Sequence, residues 1–330
     1  MSIVLLISSI DRSGEYAMWL VFSLFAAIGF GLRGILYHWT SQQPLNRNAL
    51  LCGAFFSGAL ICLIGVFWTG QQWTPSALVG IQMGLFSFAA NASMFKGFAV
   101  GKASLIAILT ALPSVFVVIG AFLLWGERLN VMQAAAFIVI VAGILLVRYS
   151  NDLSLGNLQG AQWGALALLL FAANDLSGKW STLLAAPMFP TLVCMFSAGA
   201  ACFGIWWLAD LRRLKADSKG ASAQSNGERA VVAAVSGHSE QAASLARKWS
   251  GQRTFLTGMA IGTTNAGGMM MILIAFANGK AGLVSAVTAL NVLIVLLYTR
   301  FVVKEKFTRL ETIGITAAFA GILMMRLFGR

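Results

Sequence analysis

The sequence predicts an all-α integral membrane protein with ten transmembrane helices, arranged as two inverted five-helix repeats. Hydrophobic residues make up 58% of the 330 residues and charged residues only 10%, whereas about 25% of residues are charged in soluble domains. Apolar stretches of roughly 20 residues, each long enough to cross the hydrocarbon core of a bilayer, occupy nearly the whole chain. In addition, residues 80–148 align with residues 258–326 without a gap.

The apolar stretches define the predicted spans. Tryptophans lie near most of their ends, as in the aromatic belts of membrane proteins. Pro113 is expected to kink the fourth span because it lacks a backbone N–H. Little of the chain is left for a soluble domain. The ten spans are predicted at residues 16–39, 48–68, 75–97, 101–125, 131–148, 161–184, 190–208, 254–276, 280–303 and 308–327.

The internal repeat predicts how the two halves are related. The segment GKASLIAILTALP at 101–113 recurs as GKAGLVSAVTALN at 279–291, an offset of 178 residues. Each half holds five spans, and an odd number of spans inverts the second copy relative to the first. The first and sixth spans also match, at an offset of 146 residues that pairs Arg33 with Lys179.

The two offsets also predict the domain boundaries. We expect a first repeat at 1–148, a linker at 149–160 and a second repeat at 161–330. The difference between the offsets of 178 and 146 residues leaves 32 extra residues in the second repeat. They fall in the polar segment 209–253, which we interpret as an inserted loop with a surface helix conceivable between Glu228 and Lys248.

Composition excludes several classes of function. The formal net charge is +12, but Lys and Arg lie mostly at span ends and in loops, where basic residues contact lipid headgroups. We therefore do not expect nucleic-acid binding. The four cysteines lie inside spans without a CxxC motif, and the two histidines, His38 and His238, lie far apart in the sequence. We expect neither a metal nor a cofactor.

Three charges inside the spans are the first candidates for function, namely Arg33, Asp175 and Lys179. A charged side chain at the centre of the bilayer costs about 2.5–3.5 kcal/mol, so it usually faces a cavity or a partner. Asp175 and Lys179 share one helical face because they are four residues apart. They form either a neutralising pair or a substrate or proton site. Arg33 either lines a cavity or extends to the headgroups.

Amide side chains inside the spans are further candidates. In lipid an amide must be satisfied, either by a neighbouring helix or by a substrate, and the sequence leaves both readings open. These residues are Asn91, Asn174, Asn265 and Asn291. Lys102 and Lys280 occupy equivalent positions at the start of the fourth and ninth spans, and we interpret both as anchors at the membrane interface.

The run ALPSVFVVIGAFLLWGERLNVMQAAAFIVIVAGILLV at 111–147 resembles the end of a repeat in EamA-type proteins of the drug/metabolite transporter superfamily. The matching positions are Pro113, Glu127 and Gly143. The second half repeats them as Glu305 and Gly321 but has an asparagine, residue 291, in place of the proline. The resemblance implies a ten-span inverted-repeat transporter, often an exporter of amino acids, metabolites or drugs. It also implies a central cavity lined mainly by spans one, three, four, six, eight and nine.

From the repeat and the resemblance together we predict a secondary transporter rather than an enzyme. It is expected to export a small metabolite or drug-like solute across the cell (inner) membrane by alternating access, with protons as a candidate coupling ion. The alternatives are a membrane channel or scaffold and, in third place, a lipid-modifying enzyme. Such enzymes usually hold Mg²⁺ with several carboxylates, and Asp175 is the one carboxylate deep in a predicted span.

Two arguments predict opposite orientations of the protein in the membrane. With ten spans both termini lie on one side, which carries five basic residues, while the other side carries sixteen. The positive-inside rule then places the termini outside the cell. The family resemblance implies cytoplasmic termini instead.

Overall fold

A computed structural model describes residues 2–41, 43–101, 103–148, 160–224, 250–302 and 308–328. Within these ranges the regular structure is helical. A short 3-10 helix, Pro75–Leu78, precedes α3. The α-helices are α1 (Ser2–Ser41), α2 (Arg47–Thr69), α3 (Val79–Val100), α4 (Ala103–Leu109), α5 (Pro113–Trp125), α6 (Val131–Arg148), α7 (Ala161–Leu183), α8 (Met188–Gln224), α9 (Gly251–Asn278), α10 (Ala281–Thr288), α11 (Asn291–Phe301) and α12 (Arg309–Phe328).

Seven stretches of the described chain are long and apolar enough to cross a membrane, which makes this a multi-pass membrane protein. They are Met18–Thr40, Arg47–Thr69, Pro75–Val100, Leu105–Trp125, Met188–Arg213, Gly251–Asn278 and Ala281–Tyr298. The prediction of ten spans exceeds this number. The other three predicted spans are also helices, but α6 has a shorter apolar stretch, Val131–Val147, and α7 and α12 are not among the seven. In α7 the deep polar residues lower the hydropathy.

The fourth and ninth predicted spans are each interrupted at the same point of the repeat. In the first half α4 ends at Leu109 and α5 begins with Pro113 in its first turn, where the missing N–H costs no helical hydrogen bond. In the second half α10 ends at Thr288 and α11 begins at Asn291. Because Asn291 stands where the first half has Pro113, the interruption forms without proline.

The polar insertion predicted as a loop begins as a helix. Helix α8 continues without a break from the apolar part of the span to Gln224, and α9 begins at Gly251. Ala, Leu, Lys and Arg dominate the sequence from 209 to 216, and all four favour helix. The surface helix considered between Glu228 and Lys248 lies outside the described residues, as does the linker up to residue 159.

Equivalent glycine pairs bring the helices of the two halves into close contact. A Cβ on Gly80 of α3 would lie 2.0 Å from the carbonyl oxygen of Thr191 in α8, and a Cβ on Gly258 of α9 would lie 2.0 Å from that of Leu50 in α2. One turn further, Gly84 and Gly262 meet backbone carbonyls in the same way. Small residues of this kind let membrane helices approach backbone to backbone.

Helices α6 and α12 form a reciprocal contact. Gly143 of α6 lies against Ala318 of α12, and Gly321 of α12 lies against Ile140 of α6. At the repeat offset of 178 residues, Gly321 is the equivalent of Gly143 and Ala318 the equivalent of Ile140. Further along α6, Val147 contacts Gly314. Residue numbers therefore rise along α6 as they fall along α12, so the two equivalent helices run antiparallel.

Contacts at the ends of the apolar spans define two ends of the bundle. At one end Trp19 packs on Gly279, and the same end holds the segments that follow α5 and α9. We call this the Trp19 end. At the other end Gly101 packs on Gly160, close to the start of α7. We call this the Gly101 end.

Candidate functional site

A cavity of about 300 Å³ lies in the centre of the bundle. Its wall is formed by α1, α3, α7, α9 and the two interrupted helices, and α8 adds Met195. These are the six predicted spans that the family resemblance implies, together with α8. The polar lining side chains are Arg33, Tyr37, Ser87, Asn91, Thr110, Ser114, Asn174, Asp175, Asn265, Ser285, Thr288 and Asn291.

Arg33 lies inside the protein and not at the headgroups. Its Nη1 donates a hydrogen bond of 2.6 Å to Oδ1 of Asn265 in α9. The guanidinium carbon lies 4.7 Å from the centre of the Phe30 ring and 5.9 Å from that of Tyr37, where the electron-rich ring faces attract a cation. These contacts hold the positive charge against the cavity wall.

Asp175 also lines the cavity, on the side of α7 that faces α10. Its Oδ2 accepts a hydrogen bond from Oγ of Ser285, the fifth residue of α10. The neighbouring Asn174 is buried and lines the cavity as well. A carboxylate held by a hydroxyl beside an empty volume can accept a proton or bind a cationic group of a ligand.

Lys179 does not contact Asp175 but binds groups at the end of α9 and Glu127. Its Nζ donates 2.8 Å hydrogen bonds to the backbone carbonyls of Phe276 and Gly279. It lies 3.4 Å from Oε1 of Glu127, and Lys179 is not among the residues that line the cavity. The predicted neutralising pair of Asp175 with Lys179 is therefore not formed, because the carboxylate beside Lys179 is that of Glu127.

The surroundings of Lys179 tie several helix termini together at the Trp19 end. The second carboxylate oxygen of Glu127 accepts a 2.9 Å hydrogen bond from the backbone N–H of Ala281, the first residue of α10. Lys280 donates to the carbonyl of Arg128 and, at 2.8 Å, to Oε1 of Gln133. Lys280 thus binds protein groups at the end of the bundle. Its equivalent, Lys102, lies outside the described residues, and so does Glu305.

The remaining amide candidates lie on the cavity wall. Asn91 uses its amide N–H to bond the carbonyl of Ser87 at 2.7 Å, within its own helix, while Asn265 is engaged by Arg33. Asn291 and Pro113 line the cavity from the first turns of α11 and α5. The structure thus brings six of the seven candidate polar residues together and leaves Lys179 apart.

Buried polar atoms without a partner concentrate at this cavity. Among the described residues, four buried side-chain oxygens accept or donate no hydrogen bond, those of Ser114, Asn174, Thr254 and Thr288. All but Thr254 line the cavity. Buried polar groups are nearly always satisfied in native proteins, so these three oxygens are available to bond water or a ligand in the cavity.

Sequence reasoning missed several residues of this site. Ser285, Ser114 and Tyr37 give no signal of their own, since hydroxyl residues are common in membrane helices and often bond their own backbone. Glu127 recurs in the second repeat, but its position in the sequence does not predict a contact with Lys179, 52 positions away. Within the described ranges no group of three or more His, Cys, Asp or Glu side chains is placed to hold a metal ion.

The fold and the site define a helical membrane protein with a polar cavity inside an apolar bundle. Residues 17–149 match the model of the EamA-like transporter family. This match confirms the resemblance to that family, part of the drug/metabolite transporter superfamily. It spans the first predicted repeat.

Solved structures share the fold. Of 28 matching chains, one described as "Crystal structure of protein" superposes with a TM-score of 0.68 at 14% sequence identity, covering 94% of this chain and 98% of its own. A search of curated proteins found no match. The family match suggests a transporter of the drug/metabolite type, and the structural match shows the shared fold.

Proposed function

We propose that this protein is a secondary transporter that carries a small polar or amphipathic solute across the membrane by alternating access through the central cavity. The observation that carries the proposal is the set of orphaned oxygens on Ser114, Asn174 and Thr288 around one volume. An apolar bundle that exposes charged and unpaired polar groups to an internal cavity gains nothing in stability from them. A bound solute would satisfy them.

Alternating access needs two arrangements of similar energy, which an inverted repeat supplies. The antiparallel contact of α6 with α12 supports such a repeat, because Gly143 and Ala318 exchange roles with Gly321 and Ile140 at the offset of 178 residues. On this basis we assign ten spans, pairing α4 with α5 and α10 with α11 as two interrupted spans.

The two ends of the bundle differ in a way that fits one state of such a cycle. In α1 the lining residues run from Phe30 to Tyr37, the half of the span away from Trp19. At the Trp19 end, Lys179 and Glu127 join α7 to the end of α5 and to the junction of α9 and α10. We propose that this contact keeps the Trp19 end closed while the cavity extends towards the Gly101 end.

We propose Arg33 and Lys179 as two equivalent gates, and their different contacts support this reading. Arg33 and Lys179 correspond at the repeat offset of 146 residues. Lys179 is held by carbonyls and a carboxylate, whereas Arg33 is held within the cavity by Asn265. In the opposite state of the cycle we expect Lys179 to leave Glu127 and Arg33 to take up a closing contact.

Asp175 is the proposed coupling site. It is a carboxylate on the cavity wall with a hydroxyl donor, Ser285, as its partner, so a proton or a cationic group of the solute can occupy it. We also propose export as the direction of transport and the cell inner membrane as the location, as the family resemblance implies. The chain would then work without a cofactor.

The test is a screen followed by a flux measurement. Purified protein is first heated with amino acids, nucleotide-like anions and cationic drugs, because a bound ligand raises the melting temperature. A stabilising solute is then loaded into proteoliposomes. Saturable uptake that accelerates when the same solute is present on the other side is expected of a transporter. Linear, unsaturable flux would instead indicate a channel, and chemical conversion of the solute an enzyme.

A further inference from the structure

Arg33 brings a positive charge to the cavity, and no carboxylate of the described residues lies within 4.0 Å of it. Across the described parts of the chain, the one ion pair within 4.0 Å joins Lys179 to Glu127. The guanidinium has five N–H donors, and the hydrogen bond to Asn265 engages one of its nitrogens. A cation in a low-dielectric site is costly unless a counter-charge approaches it. The geometry therefore leaves room for an anionic partner.

The two interruptions bring helix termini to the same cavity. Helices α5 and α11 both begin at the cavity, where Pro113 and Asn291 are lining residues in their first turns. The N-terminus of a helix carries a partial positive charge and attracts anions. The C-terminal ends of α4 and α10 lie at the same two interruptions, next to the lining residues Thr110 and Thr288, and carry the opposite partial charge. The helix termini therefore add no net positive potential of their own, and the full positive charge at the cavity is that of Arg33.

Two unpartnered hydroxyl groups line the same cavity. Oγ of Ser114, in the first turn of α5, belongs to a residue that is 2% exposed, and Oγ1 of Thr288, at the end of α10, to one that is 5% exposed. Both line the cavity, and both can donate a hydrogen bond to a negatively charged oxygen. They point to a ligand independently of the helix termini.

We infer that the cavity binds its solute through an anionic group, a carboxylate or a phosphate, held by Arg33 and the hydroxyls of Ser114 and Thr288. The inference rests on the proposed transport function and adds the chemical class of the solute. The same cavity wall also carries acceptors, the carboxylate of Asp175 and the unpaired Oδ1 of Asn174. The solute is therefore an organic anion that also carries a hydrogen-bond donor, such as an ammonium or hydroxyl group.

Short alkyl probes with different head groups test this class directly. The purified protein is heated with butyrate, butyl phosphate, butyramide or butylamine, and the melting temperature is followed as each probe is titrated into the millimolar range. Butyrate or butyl phosphate should stabilise the protein, and the neutral amide and the amine should not. The probe that binds more tightly identifies carboxylate or phosphate as the group. Equal stabilisation by the amine, or stabilisation by no anion, would overturn the inference.

Variants then tie binding to the named side chains. Arg33→Gln should weaken binding of the anionic probe about 10- to 100-fold, since hydrogen bonds to charged groups are strong. Arg33→Lys should recover part of the loss, and Ser114→Ala and Thr288→Val should each weaken binding several-fold. Arg213→Gln is the matched control, because Arg213 is an exposed cation of α8 outside the cavity.

The variants remain informative if Arg33→Gln does not fold, because Arg33→Lys and Ser114→Ala keep the charge or the helix intact. Unchanged affinity in Ser114→Ala and Thr288→Val together with Arg33→Lys would contradict the inference. Its failure is separable from that of the proposed function. Saturable flux of a neutral or cationic solute would refute the anion site alone, whereas a folded protein that moves no solute would refute transport.

Discussion

Lys179 and Glu127, 52 positions apart in the sequence, form an ion pair of 3.4 Å at the Trp19 end of the bundle. The contact joins α7 to the end of α5, and through Glu127 it also reaches the first N–H of α10. Lys179 in turn holds two carbonyls at the end of α9. A single pair therefore connects the elements that would have to separate for this end to open.

We predict that Glu127 and Lys179 are energetically coupled. In a double-mutant cycle, thermal unfolding of Glu127→Gln, Lys179→Met and the double variant should give a coupling energy of about 1–3 kcal/mol, as for residues in one buried network. The matched cycle replaces Glu127→Gln by Asp175→Asn and should give a smaller value, because the structure places Glu127 beside the ammonium. A larger coupling energy between Lys179 and Asp175 would contradict this prediction and support Asp175 as the partner of Lys179.

The Trp19 end should separate during transport. A Cβ on Gly279 would lie 2.9 Å from that of Trp19. Cysteines at these two positions can therefore form a disulfide once the two backbones move slightly apart, towards the usual Cβ–Cβ spacing of about 3.8 Å. In a protein without its four native cysteines, oxidation should stop solute exchange and leave solute binding intact, and reduction should restore exchange. Full exchange by the oxidised protein would show that this end does not gate the pathway.

Asp175 should couple transport to protons if it binds one during the cycle. Asp175→Asn keeps the size of the side chain and the hydrogen bond with Ser285 but cannot lose or gain a proton. It should abolish accumulation driven by a pH gradient and spare counterflow exchange, both measured in proteoliposomes. Ser285→Ala serves as the control for the hydrogen bond alone, and pH-driven accumulation by Asp175→Asn would exclude Asp175 from coupling.

Close helix packing should depend on particular glycines. A Cβ on Gly262 would lie 2.2 Å from the carbonyl oxygen of Ala54, while Gly267 in the same helix has open space around its Cβ position. Gly262→Ala should therefore destabilise the protein by about 1–3 kcal/mol through overpacking, and Gly267→Ala should leave stability unchanged or slightly higher. The measurement is the melting temperature of each variant in detergent. Similar melting temperatures for the two variants would contradict the close contact of Gly262 with Ala54.

Pro113 should be replaceable by the residue of the other repeat. The equivalent interruption in the second half forms with Asn291 at this position, so proline is not required for the break. We expect Pro113→Asn to fold and to change the free energy of unfolding by about 1 kcal/mol or less, the usual scale for proline substitutions at compatible sites. A loss of several kcal/mol in thermal unfolding would show that the first interruption depends on the proline ring.

Most of the fold was within reach of the sequence because its causes are local. Runs of apolar residues predict helices in lipid, where each backbone group must be satisfied within its own segment. The ungapped match of 80–148 with 258–326 pairs Pro113 with Asn291, and the two helix interruptions occur at these equivalent positions. Local propensity also decided one error, since the alanine- and arginine-rich start of the polar insertion continues α8 instead of forming a loop.

The sequence by itself determined which polar residues lie deep in the apolar helices, and six of them meet at one cavity. Only the tertiary structure decided their partners: Arg33 bonds Asn265, 232 positions away, Asp175 bonds Ser285, and Lys179 pairs with Glu127. The free-energy cost of a charge in hydrocarbon requires that a deep charge be paired or hydrated, but it does not specify the partner. That choice depends on how helices distant in sequence pack, which no local spacing encodes.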